Sequence, residues 1–269
     1  MNTPELTQKR IQEYLSAGKR FDNRKLDEFR EIKIETGISK NAEGSARVKL
    51  GDTEVLVGVK MSVGEPYPDS PDKGNLIVTS ELLPLSSPRF ESGPPRINTI
   101  ELGRVIDRCV RESKFIEFEK LCIKEREKVW TVFIDIYSIN DNGNLIDAAG
   151  IGAIAALKTA KIPIYDEKQE KIDYEKPAKK PLPLSKSVPF SITIHKVGKN
   201  LIVDPVLEEE DASEARVTIG IMDDSKELKI SSVQKGNSKE LDPEEVEKIF
   251  DLIEKIYKKT FPQIEKQVK

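Results

Sequence analysis

The sequence predicts an α+β fold made of two similar halves, and three observations lead to this prediction. Segments with alternating apolar and polar residues, the pattern of half-buried strands, are followed by segments with the periodicity of amphipathic helices. This order occurs twice along the 269 residues, on either side of a charged stretch at 166–187 that contains several prolines. The length allows two small domains or one duplicated α/β unit, with enough residues to enclose a core.

The first half is expected to begin with a helix over residues 4–17 that ends at Gly18. The apolar residues at helical spacing in this segment are Leu6, Ile11, Tyr14 and Leu15. Alternating runs on both sides of Gly51-Asp52 predict a β-hairpin, because such a dipeptide can adopt the positive φ angles of a tight turn. Further strands are predicted at 32–36 and in the segment LIVTSELLPL.

A second helix is expected to start at Asn98, since Glu101 three residues later completes the pattern of an N-terminal capping box. The residues predicted to face the core from this helix are Ile100, Val105, Ile106, Cys109 and Val110. The segment VWTVFIDIYSI predicts a buried strand, and a turn at 141–144 leads into the helical segment AAGIGAIAALKTA. Its many small residues predict that this helix packs closely on a neighbouring element.

The same order of strands and helix restarts after residue 187. The predicted strands are PFSITIHKV, NLIVDPVL, ARVTIGIMDD and LKISSVQK, and a final helix is expected from Pro243 to about Lys259. Its predicted apolar face consists of Val246, Ile249, Phe250, Ile253, Ile256 and Tyr257. The expected division of the chain is an N-terminal helical extension at 1–28, a first half at 29–170, a connecting segment at 171–187, and a second half with the C-terminal helix at 188–269.

The composition argues against several classes of function. Lys and Arg number 44 and Asp and Glu 47, a net charge of −3, which disfavours a protein that coats duplex nucleic acid but leaves room for a local basic groove. The two cysteines, Cys109 and Cys122, match neither a disulfide framework nor a zinc spacing, and we interpret both as core residues. The single histidine, His195, is interpreted as an ordinary strand residue, which weakens histidine-dependent hydrolase hypotheses.

The hydropathy pattern predicts no membrane segment and no membrane partner. The longest apolar run, around 151–157, is too short to span a bilayer. The N-terminal segment MNTPELTQKRIQEYL lacks the pattern of a secretory signal, so we expect a cytoplasmic protein.

The most distinctive chemical feature is a row of arginines on the second predicted helix. Arg104, Arg108 and Arg111 have offsets of four and seven residues, which places them on one stripe opposite part of the apolar face. Guanidinium groups bind phosphate oxygens with paired hydrogen bonds, so the row indicates contact with a nucleic-acid backbone. Arg89 and Arg96 add positive charge in the preceding loop. Alternatively, acidic neighbours neutralise the row in surface ion pairs; these are Glu101, Asp107 and Glu112.

Two other places are candidates for chemistry. Asp204 and the acidic run at 208–211 could hold Mg²⁺ or supply a general acid, although such a run is also typical of a solvated loop. The turn at 141–144 precedes a helix whose first amides could bind an anion. Asp147 places negative charge at that point, and the turn provides no basic or hydroxyl side chain, so a phosphate site is disfavoured there.

The ordered set of motifs resembles the RNase PH family, and more closely its larger, non-catalytic type of subunit in the archaeal exosome. The motifs are GKRFDNR, AEGSARVKLGDTEVLVGVK, GEPYPD, IELGRVIDRCVRESK, VWTVFIDIYSINDNGNLIDAAGIGAIAAL and LIVDPVLEEED. The resemblance extends from about Gly18 to the last helix. It implies an RNase PH fold (S5 domain 2-like) with two pseudo-symmetric βαβα halves.

The resemblance also implies partners. This subunit would alternate with a catalytic sister subunit in a hexameric ring, a trimer of heterodimers, capped by RNA-binding proteins with S1 domains. Single-stranded RNA would be degraded from its 3′ end by phosphorolysis, with inorganic phosphate, and Mg²⁺ as a candidate ion, in the partner's active site. The RNA-binding residues implied here are Arg104 and Arg108, with Arg111 beside them, and Arg96 is added as a candidate from its place in the preceding loop.

Two departures from the active pattern imply that this chain has no catalytic residues, metal or cofactor of its own. Active members have a Gly-Gly-Thr/Ser-Arg turn that binds inorganic phosphate, whereas here the matching stretch is 142–147, with Ile146 about where the arginine should be. Active members place two aspartates six residues apart, whereas Asp204 and Asp211 are separated by seven. Two alternatives stay open: a self-sufficient phosphorolytic 3′-to-5′ exoribonuclease, and an RNA-binding module without a role in degradation.

Overall fold

The computed structural model describes residues 3–174, 176, 178–224 and 227–268. Residues 1, 2 and 269 of the expected end segments, and residues 175 and 177 of the expected connecting segment, lie outside the described residues. The α-helices of the described part are α1 (Glu5–Ser16), α2 (Ile97–Glu112), α3 (Leu145–Thr159), α4 (Leu207–Asp211) and α5 (Pro243–Gln267). The strands there are β1 (Ile32–Thr36), β2 (Gly44–Leu50), β3 (Thr53–Gly64), β4 (Asn75–Leu82), β5 (Cys122–Lys124), β6 (Lys128–Asn140), β7 (Lys161–Ile162), β8 (Ile164–Asp166), β9 (Lys171–Asp173), β10 (Lys180–Pro181), β11 (Phe190–Val197), β12 (Asn200–Val203), β13 (Ala215–Asp224) and β14 (Glu227–Gly236).

The first half forms a six-stranded sheet in the order β1-β2-β3-β6-β4, with β5 also paired to β6. The predicted hairpin joins β2 to β3, and Gly51 in its turn has a φ of 57°, which favours glycine. Only the β4–β6 pair of this sheet is parallel, because the chain crosses over through α2 between these strands. The α2 helix packs on β4, whereas α3 packs on β2 and β3.

The second half forms an antiparallel sheet in the order β12-β11-β13-β14. The C-terminal helix α5 packs on β11 and also on β1 of the first sheet. Most buried apolar side chains of both halves form one core, and a smaller cluster joins α1 to the second half through Ile11, Leu15, Val197, Ile202 and Ala212. Each half contains a strand–helix–strand crossover and a closing helix, which confirms the predicted α+β class, although only the first half has a parallel pair.

The small residues of α3 allow it to lie between the two sheets. A Cβ atom added at Gly150 would lie 2.1 Å from Oγ of Ser191 on β11, and one added at Gly152 would lie 2.6 Å from Cγ2 of Val57 on β3. These distances confirm the close packing predicted from the composition of this helix. They also show why a helix of the first half can contact a strand of the second.

Some predicted helix ends and buried faces are wrong. The α2 helix begins at Ile97 after an extended Arg96, so Asn98 lies inside the first turn and caps nothing. Leu6, Ile100 and Phe250 are 80%, 51% and 40% exposed. At about 100° per residue, the first two point away from the buried stripe by more than a right angle, and the third lies at its margin.

The C-terminal helix continues to Gln267, past the expected end near Lys259. Ile264 remains buried on the same face as Ile256 and Tyr257, so the additional turns extend the contact with the core. None of the helices in the described ranges is both long and apolar enough to cross a membrane.

Candidate nucleic-acid interface

Arg104 and Arg108 lie on the outer face of α2. The opposite face is buried through Val105, Ile106 and their neighbours, which orients the two arginines away from the protein. Arg104 is exposed and makes no hydrogen bond or ion pair with any described residue. Arg108 donates a 2.8 Å hydrogen bond from Nη1 to Oε1 of Gln234 on β14, a neutral partner. Both guanidinium groups therefore carry a charge that no carboxylate in the described part of the chain compensates.

Arg111 differs from these two because an acidic neighbour compensates its charge. Its Nη2 donates to Oδ1 of Asp107 at 2.6 Å and to the carbonyl oxygen of Leu76 at 3.0 Å. The hydrogen bond that Arg111 donates to Asp107 raises the pKa of Arg111, and burial opposes that shift. The alternative, in which acidic neighbours neutralise the arginine row, therefore holds at Arg111. Glu101 does not neutralise the row, because it pairs at 2.5 Å with Arg216 of β13.

The loop arginines are also paired. Arg96 forms an ion pair with Glu91, and both side chains are exposed. Arg89 donates from Nη1 and Nη2 to the two carboxylate oxygens of Asp211, at 2.8 and 2.7 Å. Such a two-pronged pair satisfies the hydrogen-bonding geometry of both groups, and it fixes the loop against α4.

A cleft of about 810 Å³ lies between this loop, the start of α2, the start of α3 and α4. The arginines that line this cleft are Arg89, Arg96 and Arg216, and a carboxylate compensates the charge of each. Arg104 and Arg108 are not among the residues that line it, so they occupy a separate, open surface of α2.

The chain's own carboxylates occupy the start of α3, where a phosphate would need free amides. The amide of Asn144 donates to Oε2 of Glu210 at 2.9 Å, and the amide of Gly143 donates to Oδ1 of Asp141 at 3.2 Å. Asn144 has a φ of 58°, which turns the chain sharply into the helix. Burial raises the pKa of Glu210, while the hydrogen bond from Asn144 lowers it. A carboxyl group of the protein therefore already accepts a hydrogen bond at this helix terminus, where a bound anion would accept one.

Asp147, in the first turn of α3, is fully buried. It accepts hydrogen bonds from the hydroxyl and the amide of Thr193, at 2.7 and 3.1 Å, and from the side-chain amide of Asn144 at 3.1 Å. Burial raises the pKa of Asp147 to about 7, although these hydrogen bonds oppose the shift. This carboxyl group joins α3 to β11 inside the protein, so it lies in the core and not at the open end of the helix as the sequence argument supposed.

The acidic run at 208–211 is not a solvated loop, because it forms α4. Asp204, just before it, is fully buried and accepts hydrogen bonds from Arg24, Arg30 and Asn144. Within the described part of the chain, no group of three His, Cys, Asp or Glu residues is arranged to hold a metal ion. The carboxylate of Asp204 binds arginines, and these contacts give no support to the hypothesis that it holds Mg²⁺ or acts as an acid.

Sequence reasoning missed the partners of this acidic segment. Arg20 is buried and donates to both oxygens of Glu209, with the Nε–Oε1 distance at 2.9 Å, and it also donates to the carbonyl oxygens of Val203 and Asp204. The GKRFDNR motif therefore has a structural role, since it ties the segment after α1 to α4. No local pattern could reveal this pairing, because Arg20 and Glu209 are 189 residues apart in sequence.

His195 and the cysteines do not assemble a reactive site. Burial lowers the pKa of His195 to about 3, and its Nδ1 lies 3.1 Å from Oγ of Ser213. Burial raises the pKa of Cys109 to about 12, which keeps the thiol protonated and unreactive. Cys122 is half-buried in β5. The interpretation of His195 as an ordinary strand residue is consistent with these surroundings.

Comparison with known proteins defines the class to which this fold belongs. Residues 28–163 match domain 1 of the 3′ exoribonuclease family, and residues 187–253 match domain 2. The chain belongs to this family, the RNase PH family, and has its two-domain fold. It is 43% identical over 267 residues to the exosome complex component Rrp42 of Methanothermobacter thermautotrophicus, with 96% of this chain and 97% of that protein covered.

Two solved structures are similar over nearly the whole chain. One is described as the Archaeoglobus fulgidus exosome with RNA bound to the active site, with a TM-score of 0.83 and 42% identity over 92% of this chain and 93% of that chain. The other is described as an archaeal exosome core, also with a TM-score of 0.83, and with 38% identity over 97% of both chains.

Proposed function

We propose that this chain is a non-catalytic RNase PH-type subunit of an exosome ring, and that it binds single-stranded RNA through Arg104 and Arg108. In this proposal it alternates with a catalytic sister subunit in a cytoplasmic trimer of heterodimers capped by S1-domain proteins. The sister subunit supplies the site for inorganic phosphate, and for Mg²⁺ if the reaction needs it. Support comes from the relatives named as exosome components and from the similar structure described with RNA in its active site.

The observation that carries the proposal is a contrast between two positions of the first half. At the start of α3, Glu210 accepts the hydrogen bond of an amide that a bound phosphate would need. On α2, Arg104 is exposed and lacks a carboxylate partner among the described residues. The unpaired arginine on α2 favours binding of an RNA backbone. The occupied start of α3 disfavours binding of inorganic phosphate, and so phosphorolysis by this chain.

The proposed contribution of the arginines is electrostatic. Contacts with phosphates do not depend on base identity, so this mode of binding would suit a complex that degrades RNAs of many sequences. Because binding releases counterions, affinity should fall steeply as salt increases. Arg111 and Arg96 would contribute less, since each must exchange an existing carboxylate partner for a phosphate.

The test is a double substitution, Arg104→Ala with Arg108→Ala, in the chain reconstituted with a catalytic RNase PH-type sister subunit. We expect RNA affinity at low salt to fall at least about tenfold, since two charge-assisted hydrogen-bonding groups are lost. The mass of the complex should not change, because neither side chain supports the fold. RNA affinity is measured without phosphate and turnover with phosphate.

Arg10→Ala is the matched control, since Arg10 is an exposed arginine on another helix, α1. It should leave affinity and turnover unchanged. Unaltered RNA affinity in the double variant would refute the RNA-binding assignment. Release of nucleoside diphosphates by the purified chain alone would instead favour the self-sufficient exoribonuclease, and a chain that stays monomeric beside the sister subunit would favour the simple RNA-binding module.

A further inference from the structure

The loop between β3 and β4, residues 65–74, lies next to the C-terminal end of α2. The amide of Gly74 donates to the carbonyl oxygen of Phe118 at 2.9 Å, and the amide of Arg126 donates to that of Pro71 at the same distance. Lys73 forms a 3.2 Å ion pair with Glu119. These contacts hold the loop against the segment that follows α2.

Tyr67 projects from this loop and is 46% exposed. Its carbonyl oxygen accepts a hydrogen bond from the amide of Ser70 at 3.0 Å, so its backbone position is defined by a turn. Its phenol hydroxyl makes no hydrogen bond with any residue that the structure describes. An aromatic ring held on a fixed turn with an open side is a surface on which a planar group can stack.

The loop that carries Tyr67 enters β4 beside Arg111, the last arginine of the row. Arg111 donates to the carbonyl oxygen of Leu76, where the loop enters β4. The hydrogen bond that Arg111 donates to Asp107 is the main cause that raises the pKa of Arg111, and the phenol of Tyr67 adds a smaller electrostatic contribution. The row Arg104, Arg108, Arg111 therefore leads along α2 toward the loop that carries this exposed aromatic ring.

Arginines and an exposed aromatic ring on one surface match the two chemical parts of a single-stranded nucleic acid, its phosphates and its unpaired bases. The phosphates bind guanidinium groups, and an unpaired base can stack on an aromatic side chain whatever its sequence. We propose that Tyr67 is a base-stacking residue of this surface, on which one base of the RNA rests while Arg104 and Arg108 hold the backbone. This inference rests on the proposed function and adds a ligand group, the base, to a site otherwise defined by phosphates.

The experiment separates bases from phosphates. The full chain is reconstituted with a catalytic sister subunit in phosphate-free buffer, and the affinities for an oligoadenylate and for an abasic oligonucleotide of the same length are measured by fluorescence anisotropy. Tyr67→Ala should weaken oligoadenylate binding at least about fivefold, the lower end of the effect for one stacked base, and leave abasic binding unchanged. Tyr67→Phe and Tyr67→Trp should retain oligoadenylate binding, since each keeps an aromatic ring.

Two further variants serve as controls in this experiment. Phe250→Ala removes an aromatic side chain of similar exposure, 40%, from α5 and should change neither affinity. Arg104→Ala with Arg108→Ala should weaken both ligands, because both have phosphates. Thermal unfolding of each variant verifies that the fold is intact.

The outcomes distinguish the inference from the function on which it rests. If Tyr67→Ala binds oligoadenylate normally while the arginine variant does not, the stacking inference is overturned and the proposed function stands. If Tyr67→Ala weakens both ligands equally, Tyr67 acts by supporting Arg111 or the loop, and stacking is again overturned. If the arginine variant binds both ligands normally, the proposed function itself fails.

Discussion

Asp147 shows, at the scale of one residue, how a position beside a helix terminus becomes part of the core. Its carboxyl group is surrounded by Thr193 and Asn144, and it has no access to solvent. Two neighbouring threonines extend the polar contact, since the hydroxyls of Thr193 and Thr218 lie 3.0 Å apart. Burial favours the protonated form of such a carboxyl group, whereas hydrogen bonds donated to it favour the ionised form.

This burial predicts a pH dependence of stability. The pKa of Asp147 rises from 3.8 to about 7 in the fold, so between these values the unfolded chain loses the proton first. The free energy of unfolding should therefore decrease from about pH 4 to about pH 7 and level off above that range, because ionisation then costs the folded state fully.

Asp147→Asn should remove this pH dependence of the free energy of unfolding, since an amide does not titrate. The measurement is urea unfolding of both proteins across that pH range. The same pH dependence in both proteins would show that another group is responsible.

At the scale of secondary-structure elements, α3 lies so close to the neighbouring strand that some positions have no room for a Cβ atom. Gly44 on β2 is the clearest case, because a Cβ atom added there would lie 2.2 Å from the carbonyl oxygen of Ala156 and 2.8 Å from Cα of Ala160. Both atoms belong to the backbone, so no rotamer change can relieve the overlap. The small residues of α3 and the glycine of β2 together set the distance between helix and sheet.

Gly44→Ala should therefore destabilise the fold, by about 1–3 kcal/mol as in other overpacked cores. Gly58→Ala is the matched control, because Gly58 lies on the neighbouring strand β3 and an added Cβ would meet no atom within 4 Å. That control should be neutral or slightly stabilising, since alanine restricts the unfolded chain. Thermal or urea unfolding compares the two, and equal stabilities would contradict the packing argument.

At the scale of the whole molecule, a buried ion network joins segments that are distant in sequence. Asp204, just after β12, is bound by Arg24 at 3.0 Å and by Arg30 at 2.7 Å. Arg30 also donates to the carbonyl oxygens of Asn142 and Gly143 in the turn before α3. The network connects the segment after α1, the start of α3 and the second half, so it positions the closed helix terminus.

Asp204→Asn keeps the size of this side chain but removes the charge that balances two arginines. Removing one partner of a buried ion pair costs about 3–5 kcal/mol, so we expect a loss of that order in the free energy of unfolding. Asp224→Asn should have a much smaller effect, because its ion pair with Lys229 is exposed. Chemical denaturation measures both variants, and a loss at Asp204 no larger than that at Asp224 would show that the network contributes little.

Local patterns were sufficient for much of the fold and for part of the site. The alternation around Gly51-Asp52, the small residues of α3 and the four strands of the second half all appear in the structure, although the strand predicted at 200–207 ends at Val203. The row on α2 is also visible from spacing alone, because a helix repeats every 3.6 residues. Helix ends were less predictable, as Asn98 shows, because a capping sequence competes with the path of the chain before it.

The sequence by itself therefore determined the α+β class, the family resemblance and the stripe of Arg104, Arg108 and Arg111, since these depend on neighbours a few residues apart. Only the tertiary structure decided which charges are free. Arg20 pairs with Glu209 and Arg89 with Asp211 across more than a hundred residues, whereas Arg104 has no such partner in the described part of the chain. The physical reason is that an ion pair depends on distance in space, and the fold alone brings such remote side chains together.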